Sequence, residues 1–139
     1  MGRYDDAAAI RDVIDRYATG VDRRDWEMVR SCFSEDCSAD YGHAGKWDER
    51  EPLVAWLDQL HRDVGPTMHR MTNHHIDVDG DQASATSYLD AVLKVQHKGF
   101  DLLHVLTIYT DRLRREDGEW RIWSRGAENY MWRREQTTS

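Results

Sequence analysis

The chain has 139 residues, enough for one domain with a proper core and no need of disulfide staples. Apolar residues make up 40% and charged residues 32%, as in a globular protein, and no apolar run reaches the length of a membrane span. A formal charge of −7, with no basic stripe among aromatics, argues against a nucleic-acid partner. The arginine clusters Arg112, Arg114, Arg115 and Arg133, Arg134 are flanked by acids and read as a solvated strand end and a solvated tail. Cys32 and Cys37 form no CxxC pair, so they are expected to be small core residues rather than a disulfide framework or a zinc site. The N-terminus lacks the apolar core of a secretory signal, and cytoplasmic residence is the expectation.

In chain order, Asp5 to about Gly20 reads as a helix. Asp5 and Asp6 supply its N-terminal cap and charge, and Ile10, Val13, Ile14, Tyr17 and Val21 recur at helical spacing. Gly20 is expected to end it. A short second helix has Trp26, Val29 and Phe33 on one face. Cys37 to Tyr41 reads as a brief strand, and His43 to Asp48 as a loop. A third helix begins near Pro52, with a stripe of Leu53, Trp56, Leu57, Leu60 and Val64, and stops at Gly65-Pro66.

The remainder reads as strands over His69 to Val78, Gln82 to Gln96, Phe100 to Arg115 and Glu119 to about Met131. The turns are Asp79-Gly80, Lys98-Gly99 and Asp117-Gly118. The chain after Arg133 is expected to be a frayed tail. Helices first and a meander afterwards predict an α+β domain over 1–139, with its ordered core at about 5–131. Strands this long must belong to a curled antiparallel sheet, and helices closing it make a cone with one deep pocket. Strand Phe100 to Arg115 is apolar on both faces (Leu102, Leu106 and Ile108; Leu103, Val105 and Leu113). That predicts an outer face covered by oligomerisation.

One parity detail bears on the pocket. His69, Met71 and Asn73 share a face of a regular strand, whereas Ile76 and Val78 have the opposite parity. Either both faces are partly buried or a bulge near His74 resets the alternation.

The residues able to do chemistry are few. Asp22 reads either as a cap for the second helix, a role for which Asp25 competes, or as a functional carboxylate; Tyr17 reads as core or as part of a site. His69 reads as a hydrogen-bonded core histidine or as a general base in an apolar setting with Met68 and Met71. His74 and His75 point to opposite faces, and no metal-ligand spacing includes them. His104, between Leu102 and Leu106, is either a satisfied core histidine or a second pocket base, the former being preferred. His43, His61 and His97 are expected to be solvated. Arg125, in a final apolar strand, must be paired (with Asp22, Asp90 or Glu128) or must meet a ligand. No nucleophile elbow, phosphate loop or dinucleotide fingerprint occurs, and no cofactor is demanded.

The segments Gly20-Val21-Asp22-Arg23-Arg24-Asp25-Trp26 and His69-Arg70-Met71-Thr72-Asn73, the closing strand Trp120-Arg121-Ile122 and the order of elements resemble the SnoaL-like proteins of the nuclear-transport-factor-2-like superfamily. The resemblance covers nearly the whole chain and implies a cone-shaped α+β fold, one that hosts many chemistries. Tyr17, Asp22, His69 and Arg125 occupy the places of a tyrosine, aspartate, histidine and arginine in the bile-acid dehydratases of this superfamily. The hexachlorocyclohexane dehydrochlorinases carry a lysine where this chain has Tyr17. The scytalone dehydratases are similar at Asp22, His69 and Tyr41, but use a second histidine where this chain offers Asp90 and Lys94.

The resemblance implies a cofactor-independent lyase, a dehydratase of a small hydrophobic hydroxylated carbonyl compound, with an isomerase or cyclase, or a non-catalytic binding or assembly domain, as alternatives. Its expected catalytic residues are His69, Asp22, Tyr17 and Arg125. Tyr41, Trp47, Trp56, Met71, Asn73, His104 and Trp123 are expected to line the pocket. Relatives of this kind imply a homo-oligomer, a trimer ahead of a dimer.

Overall fold

The computed structural model describes residues 2–97 and 99–137. Helix α1 spans Arg3–Arg23, with Asp5 and Asp6 in its first turn and Gly2, not an aspartate, at the cap position. It buries Ile10, Val13, Ile14, Tyr17 and Val21, the expected stripe. It does not stop at Gly20 but runs to Arg23, where Arg24 adopts a left-handed conformation (φ 57°). The glycine serves a different need. A Cβ there would lie 2.8 Å from Val29 Cγ2, so Gly20 lets the second helix cross closely. Helix α2 (Trp26–Ser31) is capped by Asp25, whose side chain accepts from the Met28 amide. That leaves Asp22 free of capping and places it in the last turn of α1.

Strand β1 is longer than the sequence suggested, Phe33–Asp40, and is followed by a 3₁₀ turn (Gly42–Ala44) and the two-residue strand β2 (Lys46–Trp47). Helix α3 (Arg50–Arg62) packs Leu53, Val54 and Leu57 inward. Four long strands complete the chain: β3 Thr67–Asp79, β4 Gln82–His97, β5 Phe100–Glu116 and β6 Glu119–Glu135. The turn after β3 is Gly80–Asp81, one residue later than expected, and Gly80 has φ 61°. Asp117 and Gly118 both have positive φ, as a tight hairpin requires. Of the expected Lys98-Gly99 turn, Lys98 lies outside the described residues, as do Met1, Thr138 and Ser139. The start of the segment expected to fray is paired: Arg134 lies opposite Leu103 and Glu135 opposite Leu102.

The six strands form one curved, unclosed sheet in the order β2-β1-β6-β5-β4-β3, antiparallel except where β1 runs parallel to β6. The helices cover its concave face, giving the α+β cone. Cys32 and Cys37 are buried free thiols, and burial pushes the Cys37 thiol up to about 11.

Three bulges decide which side chains face the helices. In β3 the register jumps between Thr72 and His75, and Asn73 takes φ 51°. Thr67, His69 and Met71 before the bulge, and His74, Ile76 and Val78 after it, are the more buried set. In β6 the register jumps between the partners of Arg112 and Leu113, leaving Trp123 unpaired and turning Arg125 inward. A third jump leaves Tyr130 unpaired. His74 fastens α1 to the sheet, 2.8 Å from Ser87 Oγ through Nδ1 and 3.1 Å from Asp15 through Nε2.

Candidate active site

Asp22 and His69 meet where the end of α1 reaches the start of β3. The Asp22 Oδ1 atom is 2.7 Å from His69 Nδ1, and Oδ2 accepts from the His69 backbone amide at 2.9 Å. Thr67 donates its hydroxyl to Oδ1 at 2.9 Å and itself accepts from Arg24 at 2.9 Å. Arg24 also donates to the carbonyls of Val21 and Gly65, so it ties α1 to the approach to β3. The side chains are 9% exposed for His69 and 23% for Asp22. Burial opposes the charge of Asp22. The ring and backbone bonds from His69 and the Thr67 hydroxyl outweigh it and hold the carboxyl below its usual range. A carboxylate at Nδ1 fixes the neutral tautomer with its proton on that nitrogen, so the lone pair lies on Nε2.

Deeper in the cone, Arg125 and Asp111 form a buried pair, 0% and 1% exposed. Two parallel bonds of 2.8 and 2.9 Å join Nε and Nη2 to the carboxylate. The guanidinium carbon lies 4.3 Å from the Tyr17 ring centroid and 4.1 Å from that of Tyr109. The partner of Arg125 is thus Asp111, opposite it on β5, and none of the three acids expected. The Nη1 atom is buried with no acceptor among the described residues. Tyr17 and Tyr41 join hydroxyls at 3.2 Å. Burial raises the phenols of Tyr17, Tyr41 and Tyr109 above their ordinary value, so all three are protonated donors at neutral pH.

An aromatic wall continues from Tyr41. Its ring is 5.2 Å from Trp56 and 6.0 Å from Trp47, and the two indoles stack at 4.3 Å. Met71 packs on the same core, and cross-strand register sets it in a row with Leu89, Thr107 and Asn129. The Thr107 hydroxyl donates to the Asn129 side chain at 3.0 Å. Tyr109, Asp111 and Asn129 had no part in the sequence expectation, although each falls on the inward register of its strand.

Three expected pocket residues lie elsewhere. His104 has outward parity on β5 and pairs with Asp90 at 2.6 Å on the convex face, where Arg70 also holds Asp90. Trp123, displaced by its bulge, lies beneath the Arg114 guanidinium and lines a groove with Ser84 and Arg112 on the same outer surface. Asn73 is exposed, its backbone used by the bulge in β3. Conversely, His61 is not solvated. It is 5% exposed, its Nδ1 lies 2.7 Å from the Leu57 carbonyl, and its ring lies 5.8 Å from that of His69.

Comparison with solved structures places the fold. A scytalone dehydratase-like protein of Novosphingobium aromaticivorans aligns with TM-score 0.86 and 21% identity over 98% of this chain and 91% of that one. The LinA-type3 hexachlorocyclohexane dehydrochlorinase of Novosphingobium barchaimii gives 0.86 and 18% over 95% and 91%. Rv3472 of Mycobacterium tuberculosis, of unknown function, gives 0.80 and 29% over 94% and 77%. In sequence, the uncharacterised Mycobacterium tuberculosis protein Rv2910c is 28% identical over 86 residues, 61% of this chain and 58% of that protein. The matched stretch therefore spans little more than half the length of this curated relative. The model of the SnoaL-like domain matches residues 2–126, nearly the whole chain, and the protein belongs to that family.

Proposed function

We propose that the chain is a lyase, a dehydratase that uses His69 as general base on a small hydrophobic hydroxylated carbonyl compound. The observation that supports it most is the Asp22–His69 bond on the concave face, with Nε2 of His69 engaged by no protein group among the described residues. In this reading Nε2 takes the proton from the carbon beside the carbonyl, and the C–H electron pair moves into an enolate. Asp22 holds the tautomer and stabilises the imidazolium. The enolate re-forms the carbonyl as a carbon–carbon double bond appears and the neighbouring hydroxyl departs, leaving as water with the proton that the imidazolium returns. Tyr17 and the free Nη1 of Arg125 supply hydrogen bonds to oxygen as it gains charge. These steps use the chain's own groups and need no cofactor. Tyr41, Trp47, Trp56 and Met71 form the apolar wall against which the substrate lies.

The structural neighbours named for dehydration and dehydrochlorination support an elimination. The same base and donors also serve isomerisation or ring closure, so the product decides. The test is incubation with β-hydroxy ketones of polyketide, steroid and aromatic type, followed by mass spectrometry. Loss of one water supports the dehydratase, an unchanged mass with altered retention supports an isomerase or cyclase, and no turnover with saturable binding supports a ligand-binding domain.

The same proposal includes self-association through the convex sheet face, a trimer ahead of a dimer. That face carries half-buried Leu106 and Ile108 beside exposed Tyr88, Tyr130 and Met131. Sedimentation of the wild type against Leu106→Asp tests it, and a monomeric wild type overturns it.

A further inference from the structure

His61 belongs to α3, on the stripe of Leu53 and Leu57, and the last turn of the helix carries it beneath the base. Trp26 of α2 is on one side, with ring centroids 6.1 Å apart, and His69 of β3 on the other, 5.8 Å away and tilted by 51°. Among the described residues its Nδ1 meets the Leu57 carbonyl, which can only accept. Nδ1 therefore carries a proton, and in the neutral ring Nε2 carries none. Charging His61 would put a second proton on a buried ring. The groups facing it are His69 and Asp22 across the site, and Arg24 at the end of α1. Burial, then His69 and Arg24, push its pKa down, while the Leu57 carbonyl and Asp22 pull it up only in part.

From this geometry we infer that His61 is a positioning residue for His69, a neutral imidazole that covers one side of the base. The inference rests on the reading of His69 as the base. The cover has two effects. It limits the rotation of the His69 ring about the bond to Asp22. It also excludes water from the Nδ1–H···Asp22 bond on that side, where water would otherwise compete for the carboxylate. Phenylalanine would reproduce the bulk and neutrality of His61 without its bond to Leu57. Alanine would reproduce neither the bulk nor the cover.

The experiment needs no substrate. In ¹⁵N-labelled protein at pH 7, long-range spectra report the tautomer of each histidine, and the bridging Nδ1–H of His69 is read through its exchange with water. The wild type is expected to show His61 neutral with its proton on Nδ1. His61→Ala is expected to speed exchange of the His69 Nδ1 proton by about tenfold or more, and His61→Phe to hold it within about threefold of wild type. A charged His61 at pH 7, a proton on its Nε2, or equal exchange in folded His61→Ala and wild type would each overturn the inference. His61→Phe exchanging as fast as His61→Ala would overturn it too. Asp22→Ala, which removes the acceptor, tests the underlying reading separately. Loss of the bridged His69 Nδ1 signal there upholds the dyad whatever His61 does, and its persistence overturns the dyad.

Discussion

Two carboxylate–imidazole pairs stand on opposite faces of one sheet. Asp22–His69 is joined at 2.7 Å and Asp90–His104 at 2.6 Å, so bond length does not tell them apart. Their surroundings do. The concave pair is covered by α1 and by His61, and its carboxylate is further held by Thr67 and the His69 amide. The convex pair is 34% and 39% exposed, with the surface residue Arg70 as its third member. A dyad becomes a candidate catalyst when one imidazole nitrogen is fixed, the other is left to a ligand and water is kept from competing. The first pair, 9% and 23% exposed, comes nearer to the last condition than the second.

The largest expected effect breaks that contrast directly. His69→Ala and Asp22→Asn should each lower kcat/KM by about 10³-fold or more, the scale of a lost base or a wrong tautomer. His104→Ala and Asp90→Asn should leave it within about twofold, measured on whichever substrate the product screen finds. Equal losses on the two faces would show that enclosure is irrelevant.

Next in size is stability. Arg125→Met leaves Asp111 buried and unpaired and should cost about 3–5 kcal/mol in urea unfolding. Asp111→Leu added to it should restore much of that loss. Arg70→Ala, removing an exposed partner of Asp90, should cost about 1 kcal/mol or less, and less again in high salt. Thr67→Val should cost about 1–3 kcal/mol, because Asp22 and Arg24 both lose a partner in a half-buried setting.

The smallest effect is the dependence of stability on pH. Burial holds His61 below its ordinary value, so beneath about pH 6.5 the unfolded chain binds a proton that the fold refuses, and stability falls as pH falls. Asp22 is held below its ordinary value as well. Its contribution is whole above about pH 4 and is lost as pH drops through the lowered folded value. Urea midpoints between about pH 8 and pH 3 should therefore decline in two windows. His61→Phe should flatten the upper one, and Asp22→Asn should flatten part of the lower.

What the sequence disclosed follows from how each signal is encoded. The stripe of α1, the Asp117-Gly118 turn and the break in alternation near His74 are local, and local chemistry writes them plainly. The outward placement of His104 was not legible, because β5 is apolar on both faces and parity alone does not say which one the helices cover. Trp123 and Arg125 have the same parity in a regular strand, and the bulge between them separates the two. His61 was legible in principle, four residues after Leu57 and eight after Leu53 on the buried stripe, but its polar type argued for solvent. Gly20 carried a true signal that was read as a helix stop when it marked a helix crossing.

Asp22 has one further consequence. Strand β3 ends the sheet order, so its outer backbone groups face no neighbouring strand. By accepting from the His69 amide, Asp22 occupies a position that another chain's strand would otherwise use. The group that orients the proposed base is also a guard on the open edge of the sheet. Removing the carboxylate at this position would then expose an edge amide to intermolecular β-pairing, whatever it does to the proposed reaction.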